Sequence, residues 1–297
     1  MTLSDLGEDA LIEQLIKNLK GHKNLIIGPG DDCAIIKQNH STTPTWLLLK
    51  TDAIVSGVHF LPTDSPRRIG WKALCRPVSD IAACGGTPKW ALVTILAPPD
   101  TKVDWLKKIY QGINKAATAF GVTIAGGETS QTNGPLSLSI ALTGKSRHRP
   151  ILRSGAKAKQ PIFVTGLLGN SLTGHHLDFT PRVAEANWLI KNFRPSAMMD
   201  LSDGLAQDLP RLCKASSLGA QLDLKKLPRR NKATISAALS DGEDYELLFT
   251  LPQNKTADLL KTWQKKFPKT RLTQIGKTTR KQTLPPELKG GYEHFSD

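Results

Sequence analysis

Short apolar runs that end on glycine-flanked carboxylates constrain this chain more than any other feature. Gly30-Asp-Asp32, Thr51-Asp52, Ser79-Asp80, Gly126-Gly-Glu128, Asp200-Leu-Ser-Asp-Gly204 and Gly242-Glu-Asp-Tyr-Glu246 recur along its 297 residues. Several directly follow apolar segments, which places the acids on strand ends and in the tight loops after them. Helical and strand patterns alternate between these motifs in both halves, so α/β or α+β layers are expected.

The periodicity between the motifs agrees. Leu11, Ile12, Leu15, Ile16 and Leu19 stand at helical spacing and predict an amphipathic helix over 8–20 that ends at Gly21. Residues 46–49 read as a buried strand that delivers Thr51 and Asp52 to its end. Residues 66–84 read as a helix interrupted at Pro77, and 91–97 as a strand closed by Pro98-Pro99. Val103, Leu106, Ile109, Ile113 and Phe120 mark a second strong helix. Short strands follow at 122–125 and 136–142. The basic stretch 146–150 is the best candidate boundary, dividing the chain into 1–146 and 147–297. In the second half, strands are expected near 162–165, 197–201 and 245–251, with helices near 204–216 and 256–267.

Composition closes off several classes. No apolar run approaches the roughly 20 residues needed to cross a bilayer, and the acidic start, 1–10, lacks the apolar core of a signal peptide, so a cytoplasmic protein is expected. Cys33, Cys75, Cys84 and Cys213 have spacings that suit neither a zinc site nor a disulfide scaffold and read as buried free thiols. The formal charge of +14 raises nucleic acid as a partner. Yet the Lys and Arg residues are dispersed, and the densest pieces carry no interleaved aromatic residues on which bases would stack. That distribution argues against nucleic acid.

Clustered carboxylates with few other donors suit Mg²⁺, a hard cation that shares oxygen ligands with water and substrate phosphates. In Gly28-Pro-Gly-Asp-Asp32, Asp32 is either a ligand or a turn former. Thr51 and Asp52 read as a metal-positioning pair or as a cap. His59, seven residues beyond Asp52, is either a site residue or a core histidine. Gly127 and Glu128 fit a phosphate-binding backbone nest or a plain turn. Asp200 is poorly placed for capping, whereas Ser202 or Asp203 could cap the following helix and set its N-terminus beside the metal ligands. Glu243, Asp244 and Glu246 crowd three acids into four residues, a costly arrangement without cations or a polar substrate. Neither a Walker P-loop nor a kinase-type glycine loop is present.

In this order, GDDCAII, TDAIVSGVHF, WKALCRPVSDIAACGGTP, GGETS, LRSGAK, DLSDGLAQDL, GEDYELLFT and GYEHF resemble the motifs of the thiamine-monophosphate kinase family. That family belongs to the superfamily of aminoimidazole ribonucleotide synthetase and selenophosphate synthetase. The resemblance implies a two-domain fold, an N-terminal α/β domain for ATP, Mg²⁺ and dimerisation followed by a C-terminal α+β domain. It implies ATP-dependent phosphorylation of thiamine phosphate to thiamine diphosphate by direct in-line transfer, with several Mg²⁺ ions and no covalent protein group. Asp32, Thr51, Asp52, Asp80, Glu128, Asp200 and Asp203 would then be metal ligands. Gly127, Glu128, Arg153 and Ser202 would meet ATP, and His59, Glu243 and Tyr292 thiamine phosphate. A homodimer is expected. Four residues depart from the family pattern: Lys50 stands where Ser is usual, Pro77 for Asn, Glu128 for Asp and Asp241 for Gly. A same-fold enzyme with another acceptor, or a nucleotide- or nucleic-acid-binding relative without catalysis, stays open on sequence alone.

Overall fold

The computed structural model describes residues 1–38 and 45–295. Two short helices, α1 (Leu3–Leu6) and α2 (Glu8–Ile16), lead into β1 (Leu25–Ile27), β2 (Ala34–Gln38) and β3 (Thr45–Val55). Next come α3 (Pro66–Ala83), β4 (Thr87–Ala97), α4 (Val103–Phe120), β5 (Thr123–Gln131) and β6 (Ser137–Ser146). These strands form one six-stranded sheet in the order β1-β2-β3-β6-β4-β5. Only β4 and β5 run parallel, joined across α4, and the other neighbours are antiparallel.

The second half continues with β7 (Pro161–Thr165), α5 (His175–Asp178), α6 (Val183–Asn192), β8 (Ala197–Asp200) and α7 (Leu205–Ala215). It ends with β9 (Gly219–Leu222), α8 (Ile235–Ser240), β10 (Leu247–Thr250), α9 (Thr256–Lys266) and β11 (Leu272–Thr279). Its five strands are antiparallel in the order β8-β10-β7-β11-β9. The layered α/β and α+β expectation therefore holds. Among the described residues no helix is long and apolar enough to cross a membrane. All four cysteines are free and buried.

α3 joins the two halves. Its Ile69, Leu74, Val78 and Ile81 fill the core beneath the first sheet, while Ala82 and Ala83 enter a second core with Phe163, Leu189, Met198 and Phe249. The expected interruption at Pro77 does not occur, because the helix runs through it. A proline inside a helix costs about 3 kcal/mol; each buried Ile, Leu or Val side chain returns about 1.5–3 kcal/mol. Burial wins. The reverse holds for α2, which stops at Ile16 instead of reaching residue 20. It buries no residue, leaving Ile12 and Leu15 exposed along with Leu19 beyond its end, and unpacked helices shorter than about 12–15 residues are marginal.

α3 and α4 meet backbone to backbone. A Cβ on Gly70 would stand 1.9 Å from the Ile109 carbonyl oxygen, and one on Gly112 would stand 2.0 Å from that of Arg67. The two glycines thus form a reciprocal notch that lets the helices close. We expect Gly112→Ala to lower stability by about 1–3 kcal/mol or more, the cost of overpacking a filled core. Gly21→Ala, with nothing within 4 Å of the added methyl, should change it by less than about 0.5 kcal/mol. Chemical denaturation of the two variants checks the contrast.

Candidate active site

Three elements deliver one carboxylate each to the junction between the sheets. Asp32 comes from the turn before β2, Asp80 from α3, and Asp200 from the last position of β8. All three are buried, and one oxygen of each lies within 4.8 Å of the others. Ser79, one residue before Asp80, donates its hydroxyl to Asp200 Oδ2 at 2.5 Å. Asp52 approaches from β3, on the face that carries Lys50. It does not end its strand as the sequence suggests, because β3 continues to Val55.

Three cations surround these four acids. Arg153 donates from Nε and Nη2 to Asp32 Oδ1 at 2.9 and 2.6 Å, and its backbone N–H reaches Asp31 Oδ2 at 3.1 Å. Lys50 Nζ lies 2.9 Å from Asp80 Oδ1 and 3.8 Å from Asp52 Oδ1. Arg76 Nη2 stands 4.0 Å from Asp52 Oδ1. Even so, Asp32 Oδ2 and Asp52 Oδ2 are buried without a hydrogen-bond partner among the described residues. Burial, then the charge on Asp32, pushes Asp200 up to about 7. Burial likewise raises Asp80, against the pull of Lys50. For Lys50 itself burial disfavours the ammonium, but Asp80 and Asp52 outweigh it and hold its pKa above the ordinary lysine value. The cluster is a set of oxygen donors short of positive charge.

Beside it lies a cavity of about 140 Å³ lined by His59, Arg76, Ser202, Glu243 and Tyr292, among others. It brings together the three residues expected to face thiamine phosphate, and Arg76 and Ser202 connect it to the carboxylates. Glu243 is held at 2.6 Å by Lys72 Nζ, a fully buried lysine, and at 3.1 Å by His176 Nδ1. Burial opposes its charge, yet His176 and Lys72 hold it down to about 2, so it is anionic at neutral pH. Burial lowers Lys72 to about 8 despite Glu243. His59 Nδ1 accepts the Val55 N–H at 3.1 Å, and burial followed by Arg76 and Lys72 lowers it to about 3, so its ring is neutral. Tyr292 is placed by its N–H to the Asp203 carbonyl at 2.9 Å.

The crowded segment at 242–246 resolves its repulsion one acid at a time. Glu243 and Tyr245 both take φ of +51°, a region costly for residues with a Cβ, and the kinks turn successive acids to different partners. Asp244 meets Arg230 at 2.7 Å. Glu246 receives Arg182 Nε and Nη2 at 2.6 and 2.5 Å. Tyr245 stacks on Phe179 with ring centroids 3.8 Å apart. Asp241 accepts the Asn170 N–H at 2.6 Å, which gives that departure from the family pattern a local structural role.

Other expected site residues lie elsewhere. The Thr51 side chain points to the opposite, exposed face of the sheet and pairs with the Ser139 hydroxyl at 3.4 Å. Gly127 and Glu128 sit in the middle of β5 and form neither a turn nor a nest; Glu128 is exposed and accepts from the Ser130 hydroxyl at 3.2 Å. Asp203, by contrast, lines the same cavity as His59 and Glu243; it does not cap α7, whose N-cap is Gly204, and its carboxylate pairs with Arg211. The sequence reading missed Lys72, Arg76 and His176. A signal existed for the first two, since Lys72, Arg76 and Asp80 follow Ile69 and Ala73 along the core face of α3. His176 carried none. A larger concavity of about 670 Å³ near Lys89, Lys145 and Lys191 is lined by no carboxylate.

Comparison with known proteins agrees with this geometry. The family described as AIR synthase related protein matches through its N-terminal domain over residues 30–146 and its C-terminal domain over 156–287. Thiamine-monophosphate kinase of Rhodopirellula baltica is 39% identical over 246 residues, covering 78% of each chain. That of Escherichia coli K12 is 36% identical over 276 residues, covering 83% of each. A structure of AaThiL complexed with AMPPCP and TMP superposes with a TM-score of 0.84 at 30% identity and covers 99% of both chains. A chain of a HypE-HypF complex shares the fold alone, with a TM-score of 0.74 at 18% identity. Two sheets bridged by an acid-bearing helix, together with these relatives, establish that the chain belongs to the thiamine-monophosphate kinase family of AIR synthase related proteins.

Proposed function

We propose that this protein transfers the γ-phosphoryl group of ATP to thiamine phosphate by direct in-line attack, assisted by Mg²⁺, giving thiamine diphosphate and ADP. The observation that carries this reading is the convergence of Asp32, Asp80 and Asp200 beside the cavity of His59, Glu243 and Tyr292. The donor set fits Mg²⁺: every donor is an oxygen, and the orphaned Asp32 Oδ2 and Asp52 Oδ2 each lack a positive partner. Asp32, Asp52, Asp80 and Asp200 would hold the metal, which when bound neutralises phosphate charge and polarises the transferred group. The side chains do the rest. Glu243 presents a fixed anion to the cationic thiamine ring system, with Lys72 and His176 setting its rotamer. Arg76 and Ser202 stand between that acceptor pocket and the carboxylates, where the two phosphates must meet. No side chain has to form a covalent intermediate, because phosphoryl transfer depends on position and charge.

The working unit we propose is a homodimer. Asp52, Ile140, Val93 and Gly127 stand in register across β3, β6, β4 and β5. Three strand spacings, about 14 Å, therefore separate the Asp52 and Gly127 backbones within one chain. Glu128 and Thr51 project from the exposed face of this sheet, which also shows Leu49, Trp90, Leu92 and Leu96 at 37–55% exposure. A second copy laid on that apolar face would cover these side chains and bring its own Glu128 to the face that carries Thr51.

Three outcomes are expected. Purified protein with ATP, Mg²⁺ and thiamine phosphate yields thiamine diphosphate, and Asp200→Asn lowers kcat/KM by about 100-fold or more, the scale of losing one preorganised electrostatic group; a product-free wild type overturns the reading. Mixing Asp200→Asn with Glu128→Ala chains after reversible dissociation restores part of the activity if sites are shared between copies, and restores none if each chain is self-sufficient. The third concerns pH. Because the Asp200 pKa in the folded, metal-free protein lies near 7, above its unfolded value near 4, its contribution to stability declines as pH rises through that window. Protons compete with Mg²⁺ for the carboxylate below it. The rise in Tm caused by Mg²⁺ should thus be small at pH 5 and level off above about pH 7.5, as thermal melts at fixed ionic strength would show.

A further inference from the structure

Lys50 is the one lysine whose ammonium enters the carboxylate cluster among the described residues, 2.9 Å from Asp80 Oδ1 and 3.8 Å from Asp52 Oδ1. Its position follows from strand geometry. Side chains two apart on β3 share a face, so Lys50 and Asp52 project together toward α3, where Asp80 waits. The side chain is only 23% exposed, unlike a surface lysine free to swing into water. Two carboxylates, one from β3 and one from α3, thus meet around the Lys50 ammonium, with Arg76 Nη2 4.0 Å from Asp52 Oδ1.

That charge sits where a hard cation would otherwise bridge. Mg²⁺ needs oxygen ligands at about 2.0–2.1 Å in near-octahedral order, and an ammonium already bonded to Asp80 Oδ1 occupies that oxygen's approach. Two cations held a few ångströms apart in a partly buried site repel strongly. The Asp52 and Asp80 carboxylates can be bridged by the ammonium or by a divalent ion, but not by both. The orphaned oxygens lie elsewhere, on Asp32 Oδ2 and on the second oxygen of Asp52, and remain open to metal.

We propose that Lys50 is a tethered counter-ion that fills one cation position of the cluster, between Asp52 and Asp80, so that each chain assembles its site with one fewer divalent ion. The inference rests on the metal-assisted reading above and extends it. A covalently attached cation cannot dissociate, so this part of the site is set at any Mg²⁺ concentration. It is also a smaller charge than Mg²⁺, and Arg76, 4.0 Å from Asp52 Oδ1, supplies the second positive charge beside this pair.

Counting bound Mn²⁺ tests this, by equilibrium dialysis or by the electron-spin signal of free Mn²⁺, with the full chain and a non-hydrolysable ATP analogue. Lys50→Met keeps the stem and removes the charge; it should bind one more Mn²⁺ per chain than the wild type, while Lys50→Arg should match the wild type. Equal counts for wild type and Lys50→Met overturn the proposal. If Lys50→Met lacks a cooperative melt without metal, recovery of the melt by Mn²⁺ supports the proposal and failure to recover overturns it. The count does not depend on turnover. An inactive wild type would refute the kinase reading and leave the count readable, whereas equal counts in an active enzyme would refute only the role of Lys50.

Discussion

Repulsion among carboxylates brought together at the junction of two sheets is the constraint on which the rest of this structure depends. Asp32, Asp52, Asp80 and Asp200 arrive from a turn, a strand, a helix and a strand end. An unpaired charge out of water is costly enough that proteins usually neutralise it by protonation or by a partner. Here Arg153, Lys50 and Arg76 supply three cations for four carboxyl groups, and burial pushes Asp80 and Asp200 toward the protonated form, so the deficit remains in the fold. A structure built only for stability would have closed it. The backbone around the acids is therefore held by other means, chiefly the apolar burial of α3 between both sheets.

The same chain shows what a satisfied acid looks like. Asp244 has Arg230, Glu246 has a bidentate Arg182, and Asp203 and Asp208 share Arg211. For Asp244 and Glu246 both carboxylate oxygens are taken up within the second half, whereas Asp203 pairs through one oxygen and also lines the cavity. Glu243 is intermediate. It has two partners, yet it lines a cavity, so its charge is fixed and presented at once. Partner saturation, more than acidity or burial, separates structural carboxylates from those available to a metal or substrate.

Much of this was legible in the sequence, for reasons that can be stated residue by residue. The helix at 103–120 was plain because its apolar period is regular and Gly121, at φ +65°, ends it in a left-handed cap. Asp200 was plain because it ends an apolar run, and β8 does stop there. Asp80 was not, since a helical acid has no period-two or turn context, and only the order of motifs singled it out. The glycine pair at 126–127 misled: two glycines before an acid suggest a turn, but pairing with β4 draws them into a strand, where a Cβ on Gly127 would meet the Val93 carbonyl oxygen at 1.9 Å. Tertiary pairing overrode local preference. The partners of Glu243 were invisible for a different cause. Lys72 and His176 lie 171 and 67 positions away in sequence, and a buried lysine is stabilised only by contacts that no local window contains.

Because the acids come from both sheets, the site and the relative placement of the two halves are one problem. The Ser79 hydroxyl on Asp200 and the double contact of Arg153 with Asp32 each run from one half to the other. A ligand bound among Asp32, Asp80 and Asp200 favours the docked arrangement by its full differential affinity for it. Conversely, a core change far from the acids that shifts α3 by a fraction of an ångström moves Ser79 and Asp80 together, and with them the spacing of the three carboxylates. The tight glycine notch between α3 and α4 is then more than packing. It fixes the depth at which α3 sits, and so the position of the helical carboxylate relative to the two supplied by turn and strand.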